Sequence, residues 1–223
     1  MTKCVLVVAA HTDDEALGCG GTIARHIAEG DTVYAIFMAD GVTSRLGADQ
    51  KDLLGRNVAA ENARGILGIK ENFYLGLPDN RMDSIPLIDV VQKLEPIIDM
   101  LQPSIVYTHH YGDLNVDHRI THQAVMTACR PQPGRSVRAI YAFEVMSSTE
   151  WATPTVTPFL PNYFVDITKY LSKKNDVLNA YHSEMRKAPH SRSKEHLTNL
   201  AIHRGQSVGV LAAEAFMSIR VVI

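Results

Sequence analysis

Cysteine is scarce in this sequence, and long apolar runs and a strong charge of either sign are absent. The three cysteines, Cys4, Cys19 and Cys129, share no disulfide or metal-ligand spacing, so a disulfide framework and a thiolate metal site are both excluded. They read as small buried residues. No apolar stretch reaches transmembrane length and no basic-then-apolar leader opens the chain, which argues against membrane insertion and for a cytoplasmic protein. The 22 Lys and Arg nearly balance 24 Asp and Glu, a formal net charge of -2. No general field therefore draws the chain to nucleic acid or to an acidic membrane. There is no repeat, no low-complexity segment and no linker; the proline- and threonine-rich stretch 153–161 comes nearest to one. What is left is a chain of 223 residues, 46% hydrophobic, long enough to bury a sizeable core as a single domain over 1–223.

Apolar runs and helical periods alternate along that domain. Strands are expected at 5–9, 32–38, 72–75, 105–108, 137–145 and 162–167. Helices are expected from Gly18 to about Glu29, and near 54–67, 85–101, 119–129, 171–184 and 194–204. Such alternation implies an α/β architecture, a mostly parallel sheet flanked by helices with right-handed crossovers.

Directly after the first strand stands Ala10-His11-Thr12-Asp13-Asp14-Glu15. In an open α/β sheet the carboxyl ends of the strands are where ligands bind. An imidazole and three carboxylates crowded there cost free energy unless a cation offsets it. A helix cap needs one such residue, not four. His11 and Asp14 are three apart across a tight turn, and nitrogen with carboxylate oxygen suits zinc, although iron, cobalt or manganese accept the same donors. The third ligand must come from elsewhere. Asp113-Leu114-Asn115-Val116-Asp117-His118 follows a separate strand and offers His118, with Asp117 placed to orient an imidazole. His122, His109 and His110 remain as alternatives. Asp13 is left facing the open metal position, where a carboxylate serves as general base. Glu15 reads equally as a favourable charge at a helix N-terminus. A competing reading makes Gly18-Cys19-Gly20-Gly21 a phosphate cradle in a nucleotide-binding protein. Its spacing is not Gly-x-Gly-x-x-Gly, and the acidic cluster repels phosphate.

The motifs resemble those of the PIG-L family of zinc-dependent N-acetylglucosamine deacetylases, also called LmbE-like proteins. That family carries His-Pro-Asp-Asp-Glu after its first strand and a second motif ending Asp-His; here they read His11-Thr12-Asp13-Asp14-Glu15 and Asn115-Val116-Asp117-His118. Ala39-Asp40-Gly41, the Arg56 helix ending Ile66-Leu67-Gly68, and Leu75-Gly76 extend the likeness over most of the chain. The resemblance implies a Rossmann-like fold, zinc on His11, Asp14 and His118, and Asp13 as general base. It also implies hydrolysis of the acetamide of an amino sugar, with Asn115 and Asp117 completing the catalytic group, and self-association of the chain. Thr12 replaces the usual proline, losing a fixed φ but no ligand. Asn115 stands where many members have histidine. An amide donates a hydrogen bond but transfers no proton, so the acid role falls to Asp13, His109 or His110, or the chain is a metal-binding relative without activity.

Arg56, His110 and Arg192 are the expected substrate contacts. Arg192 lies in the polar loop Pro189-His190-Ser191-Arg192-Ser193 and offers paired donors to a phosphate or glycan; His203 and Arg204 extend that edge. Asp40 is placed to accept from sugar hydroxyls. The one tryptophan, Trp151, reads first as filling a core or interface and second as stacking on a sugar face.

Overall fold

The structure, a computed structural model, describes residues 2–47, 49–153 and 157–223. Part of the stretch 153–161 therefore lies outside the described residues. Among those described, β1 (Cys4–Ala9), β2 (Thr32–Ala39), β3 (Glu71–Leu77), β4 (Ile105–His109), β5 (Ala139–Phe143), β6 (Tyr163–Asp166) and β7 (Ala213–Val221) form one sheet. The spatial order is β3-β2-β1-β4-β5-β7-β6. The first five pair in parallel, and β7 runs antiparallel to both of its neighbours. The helices are α1 (Asp14–Ala28), α2 (Gln50–Leu67), α3 (Leu87–Leu101), α4 (Val116–Ala128), α5 (Leu171–Ala180) and α6 (Lys194–Gln206).

The period of two in β1 sorts its side chains between two cores. Val5, Val7 and Ala9 pack with Ile23, Ala63, Val177 and Leu197, from α1, α2, α5 and α6. Leu6 and Val8 pack on the other face with Val90, Leu94 and Val125, from α3 and α4. Strand order reverses at β1, which lies between β2 and β4. A crevice forms at the carboxyl ends of the strands where order reverses, and it places the loops after β1 and β4 side by side.

The glycine run differs most from the sequence expectation. Gly18 to Gly21 lie inside α1 rather than opening it, with a break at Cys19, whose φ is -145°. At the break the Gly21 and Thr22 amides donate to Glu214 of β7 at 3.0 and 2.6 Å. Lys174 bridges the same gap, 2.5 Å from Glu214 and donating to the Leu17 carbonyl at 2.8 Å. This buried ion pair takes up backbone groups that the break frees. A Cβ on Gly21 would come within 2.7 Å of Ile167. The glycines thus serve close packing of α1 against Phe143 of β5 and Ile167 rather than a phosphate, which removes the nucleotide-binding reading.

Two helices start earlier than their apolar pattern suggests, because caps extend them. Asp49 accepts from Lys51 N at 2.7 Å and Asp52 N at 3.1 Å, starting α2 at Gln50. Asn115 accepts from Asp117 N at 2.8 Å, starting α4 at Val116.

Candidate metal and active site

The turn after β1 and the first turn of α4 converge on one point. His11, Asp14 and His118 each offer a ligand atom, all within 4.8 Å of one another, and all three residues are buried. Asp14 Oδ2 lies 3.4 Å from His11 Nδ1 and 3.4 Å from His118 Nε2. It also accepts from the His11 amide at 2.8 Å, which fixes the carboxylate in the turn. Asp14 Oδ1 and His118 Nε2 are buried without a hydrogen-bond partner. Two unpartnered polar atoms on neighbouring buried residues are costly alone and suit a divalent cation with nitrogen and oxygen ligands.

Each imidazole turns its other nitrogen to a carboxylate. His11 Nε2 lies 3.0 Å from Asp117 Oδ2 and 3.1 Å from Asp79 Oδ1. His118 Nδ1 lies 3.2 Å from Asp113 Oδ1. That arrangement fixes the tautomer and aims the free lone pair inward. Asp117 thus orients His11 and not the adjacent His118, a task that falls to Asp113. Asp117 is itself held by the amides of Asn80 at 2.6 Å and Met82 at 3.1 Å. Burial would depress the basicity of His118, but Asp14 and Asp113 outweigh it and push the imidazole up to about 9. In the metal-free protein protons thus balance the carboxylates.

The other histidines make contacts of their own, although His109 Nε2 also lies 3.4 Å from Asp14 Oδ2. His109 accepts from Ala10 N through Nε2 at 2.8 Å and stacks on His118 with ring centroids 3.9 Å apart. Burial first, and the neighbouring His118 charge second, push it down to about 4. It is a neutral, packed ring. His122 Nδ1 is 2.8 Å from the His109 carbonyl. His110 Nε2 is 2.8 Å from the Thr157 carbonyl, its polar contact away from the metal group.

Asp13 occupies the turn with φ of 121°, a left-handed backbone uncommon for a residue other than glycine. Its amide donates to Glu15 Oε2 at 3.0 Å, and Tyr181 Oη donates to Glu15 Oε1 at 2.6 Å. Burial pushes Glu15 up to about 7, against the Tyr181 hydrogen bond. Burial also raises Asp13, while Arg192 and Arg56 oppose the rise. Arg192 Nη1 donates to Asp13 Oδ2 at 2.9 Å, and its Nε to Ser147 Oγ at 2.7 Å. Arg56 is buried rather than solvated. Its Nε donates to Thr12 Oγ1 at 3.0 Å, its Nη2 to the Thr12 carbonyl at 2.5 Å, and its Nη1 lies 2.8 Å from Glu184 Oε1. The threonine standing where proline is usual thus gives Arg56 a hydroxyl acceptor beside the carbonyl that a proline would also offer.

Asn115 Nδ2 donates to Asn80 Oδ1 at 3.1 Å, so both ends of its amide are engaged. Asp40 accepts from the Val42 and Thr43 amides at 2.9 Å each and closes its own turn. Trp151 is 53% exposed, which removes the core reading of that residue. Asp79 and Tyr181 are absent from the sequence reading; both reach the site from distant chain segments with no local motif.

The PIG-L family model, described as GlcNAc-PI de-N-acetylase, matches residues 6–129. An Escherichia coli K12 relative, named as the uncharacterized deacetylase YaiS, is 32% identical over 187 residues, 81% of this chain and 91% of its own length. The solved N,N'-diacetylchitobiose deacetylase of Pyrococcus horikoshii superposes with a TM-score of 0.77 at 23% identity, covering 98% of this chain and 84% of that one. The 4-carboxy-2-hydroxymuconate hydratase of Pseudomonas putida KT2440 superposes with a TM-score of 0.77 at 24% identity, covering 100% and 98%. These two superpositions show the fold alone, and the printed names attach two different reactions to it.

Proposed function

The chain belongs to the PIG-L family of deacetylases, and from that premise we propose that it removes acetate from an N-acetylated amino sugar with zinc held by His11, Asp14 and His118. The convergence of these three donors, two of them orphaned, beside Asp13 carries the reading. The amino-sugar class draws support from the family description. When bound, the metal supplies a Lewis acid for the amide oxygen and activates water.

The chain's own residues do the rest. Asp13 is the general base: its carboxylate takes the proton of the attacking water and passes it to the leaving amine. Burial favours the neutral form of Asp13, which strengthens it as a base, while Arg192 keeps the ionised form accessible. Asn115 carries no proton to give, and its amide holds the start of α4 and the Asn80 turn. The acid role therefore returns to Asp13. Asp117 and Asp113 act as positioning residues for His11 and His118. Arg192 donates to Asp13 and is the substrate contact of choice, whereas Arg56 braces the Thr12 turn and His110 is tied to the Thr157 carbonyl. We also place the protein in the cytoplasm, since Cys4, Cys19 and Cys129 are all unpaired and a reducing compartment keeps thiols so.

Acetate release from N-acetylated amino sugars by zinc-loaded protein tests the reading, with Asp13→Asn as control. Wild type is expected to release acetate and Asp13→Asn to keep zinc but release little. Full activity in that variant would remove Asp13 as the base.

A further inference from the structure

A second cluster of imidazole and carboxylates stands at the amino ends of the strands, the opposite end of the sheet from the first. His26 lies in the last turn of α1, Glu29 caps that helix, and Asp31 immediately precedes β2. Each offers a ligand atom, all within 4.8 Å of one another. Asp14 opens the same helix, so at about 1.5 Å per residue the two clusters are about 18 Å apart.

The donors are held in place by their neighbours. His26 Nδ1 lies 2.8 Å from Asp31 Oδ2, and its Nε2 lies 3.0 Å from Tyr107 Oη. Lys3 N donates to Asp31 Oδ1 at 2.8 Å, which leaves Oδ2 to the imidazole. Arg25 Nε donates to Glu29 Oε1 at 2.7 Å, engaging one of its two oxygens. A cavity of about 260 Å³ adjoins the group, and Thr22, His26, Glu29 and Tyr107 are among the residues that line it. Thr22 Oγ1 is buried there without a hydrogen-bond partner. Thr22 precedes His26 by one helical turn, so the two side chains share a face. An orphaned buried hydroxyl is costly, and a water held by an ion in the cavity would give it a partner.

Three further features suit a cation. The C-terminus of α1 directs its partial negative charge to this place. Tyr107 Oη is positioned to accept from Nε2–H once Nδ1 turns to a metal, the arrangement that orients a ligating imidazole. Glu29 is exposed and leaves an entry path. Lys3 and Arg25 also line the cavity and offset the two carboxylates. A hard ion held by charge alone therefore gains little, and an ion that bonds imidazole nitrogen is favoured.

We propose that His26, Glu29 and Asp31 bind a second divalent ion of the zinc class, which pins the end of α1 to the start of the sheet. The ion takes the place of the proton between His26 Nδ1 and Asp31. That proton moves to Nε2 and is donated to Tyr107 Oη, and the phenol turns its own proton away. The site is independent of the deacetylase reading, since none of its residues belongs to the first cluster.

The test counts zinc by elemental analysis after chelator-stripped, untagged protein is dialysed against micromolar free zinc in excess calcium. Wild type should hold two ions per chain. Glu29→Gln and Asp31→Asn should each hold one, and His118→Ala one. The double variant Glu29→Gln/His118→Ala should hold none. Glu29 is exposed, so Glu29→Gln leaves the fold intact, and Asp31→Asn keeps an acceptor for Lys3 N. Zinc should raise the Tm of His118→Ala, as a ligand of the native state does, and should leave that of the double variant unchanged. A single ion in wild type, or two in either Glu29→Gln or Asp31→Asn, overturns the second site. Neither result touches the first, which loss of an ion in His118→Ala tests separately.

Discussion

Replacing Asp113 tests whether the carboxylates behind the imidazoles support a metal. Asp113 Oδ1 accepts from Asn115 N at 2.9 Å and from Ser148, and faces His118 Nδ1 at 3.2 Å, while Oδ2 accepts from Thr149 at 2.6 Å. In Asp113→Asn the least costly orientation keeps the amide oxygen on the three-donor side. It turns the NH2 to Thr149, whose hydroxyl can reverse its proton. The negative charge behind His118 and the acceptor of the Thr149 hydroxyl are then lost, and zinc affinity should fall by about tenfold, the lower end for such partners, or about 1.4 kcal/mol. Asp113→Ala removes every contact and should cost about a hundredfold. It also leaves the Asn115 amide and the Ser148 and Thr149 hydroxyls without their acceptor, so the metal-free protein should lose about 1–3 kcal/mol of stability. Competition with a chelator of known affinity measures the first effect and denaturant unfolding of the stripped protein the second. Wild-type zinc affinity in Asp113→Ala would refute the reasoning.

Asp13→Asn should retain zinc and lose at least about a hundredfold in acetate release, since it removes a proton carrier and not a ligand; elemental analysis with a kinetic assay reads both. Tyr181→Phe deprives buried Glu15 of its 2.6 Å donor and should cost about 2 kcal/mol, a fall in Tm of about 4–8 °C, with kcat reduced as Asp13 loosens; an unchanged Tm would remove this support. Zinc affinity should rise with pH up to about 9, because the carboxylates raise His118 to about 9 and hold a proton on it that the metal must displace. Calorimetry in buffers of different ionisation enthalpy should show proton release below that pH, falling as pH rises through it.

Much of this site is legible in the chain because its first half is local. His11, Asp13 and Asp14 follow a strand within a few residues, and His118 opens the helix that follows another, so strand ends and the helix start bring them close. Asp117 is legible as an orienting group but not its partner: α4 begins at Val116, three residues before its apolar pattern, and that extra turn points Asp117 to His11. Tyr181 and Asp79 sit 166 and 68 positions from their partners in the numbering, and no local pattern encodes such pairings. The glycine run misleads for a similar reason. A phosphate loop and a helix packed tightly on a sheet both need small residues, and only Phe143, Ile167 and Glu214, far along the chain, decide between them. β7 opens Ala213-Glu214-Ala215-Phe216, and a buried, paired glutamate there breaks the apolar run that marks a strand.

The central claim is that a metal on His11, Asp14 and His118 supports hydrolysis of an acetamido sugar. Acetate release should be followed on one preparation as isolated, after chelator stripping, and after return of one equivalent of zinc. The account predicts activity, then its loss, then its recovery in wild type, with no recovery in His118→Ala. Acetate release that survives stripping, or recovers fully in His118→Ala, would contradict it.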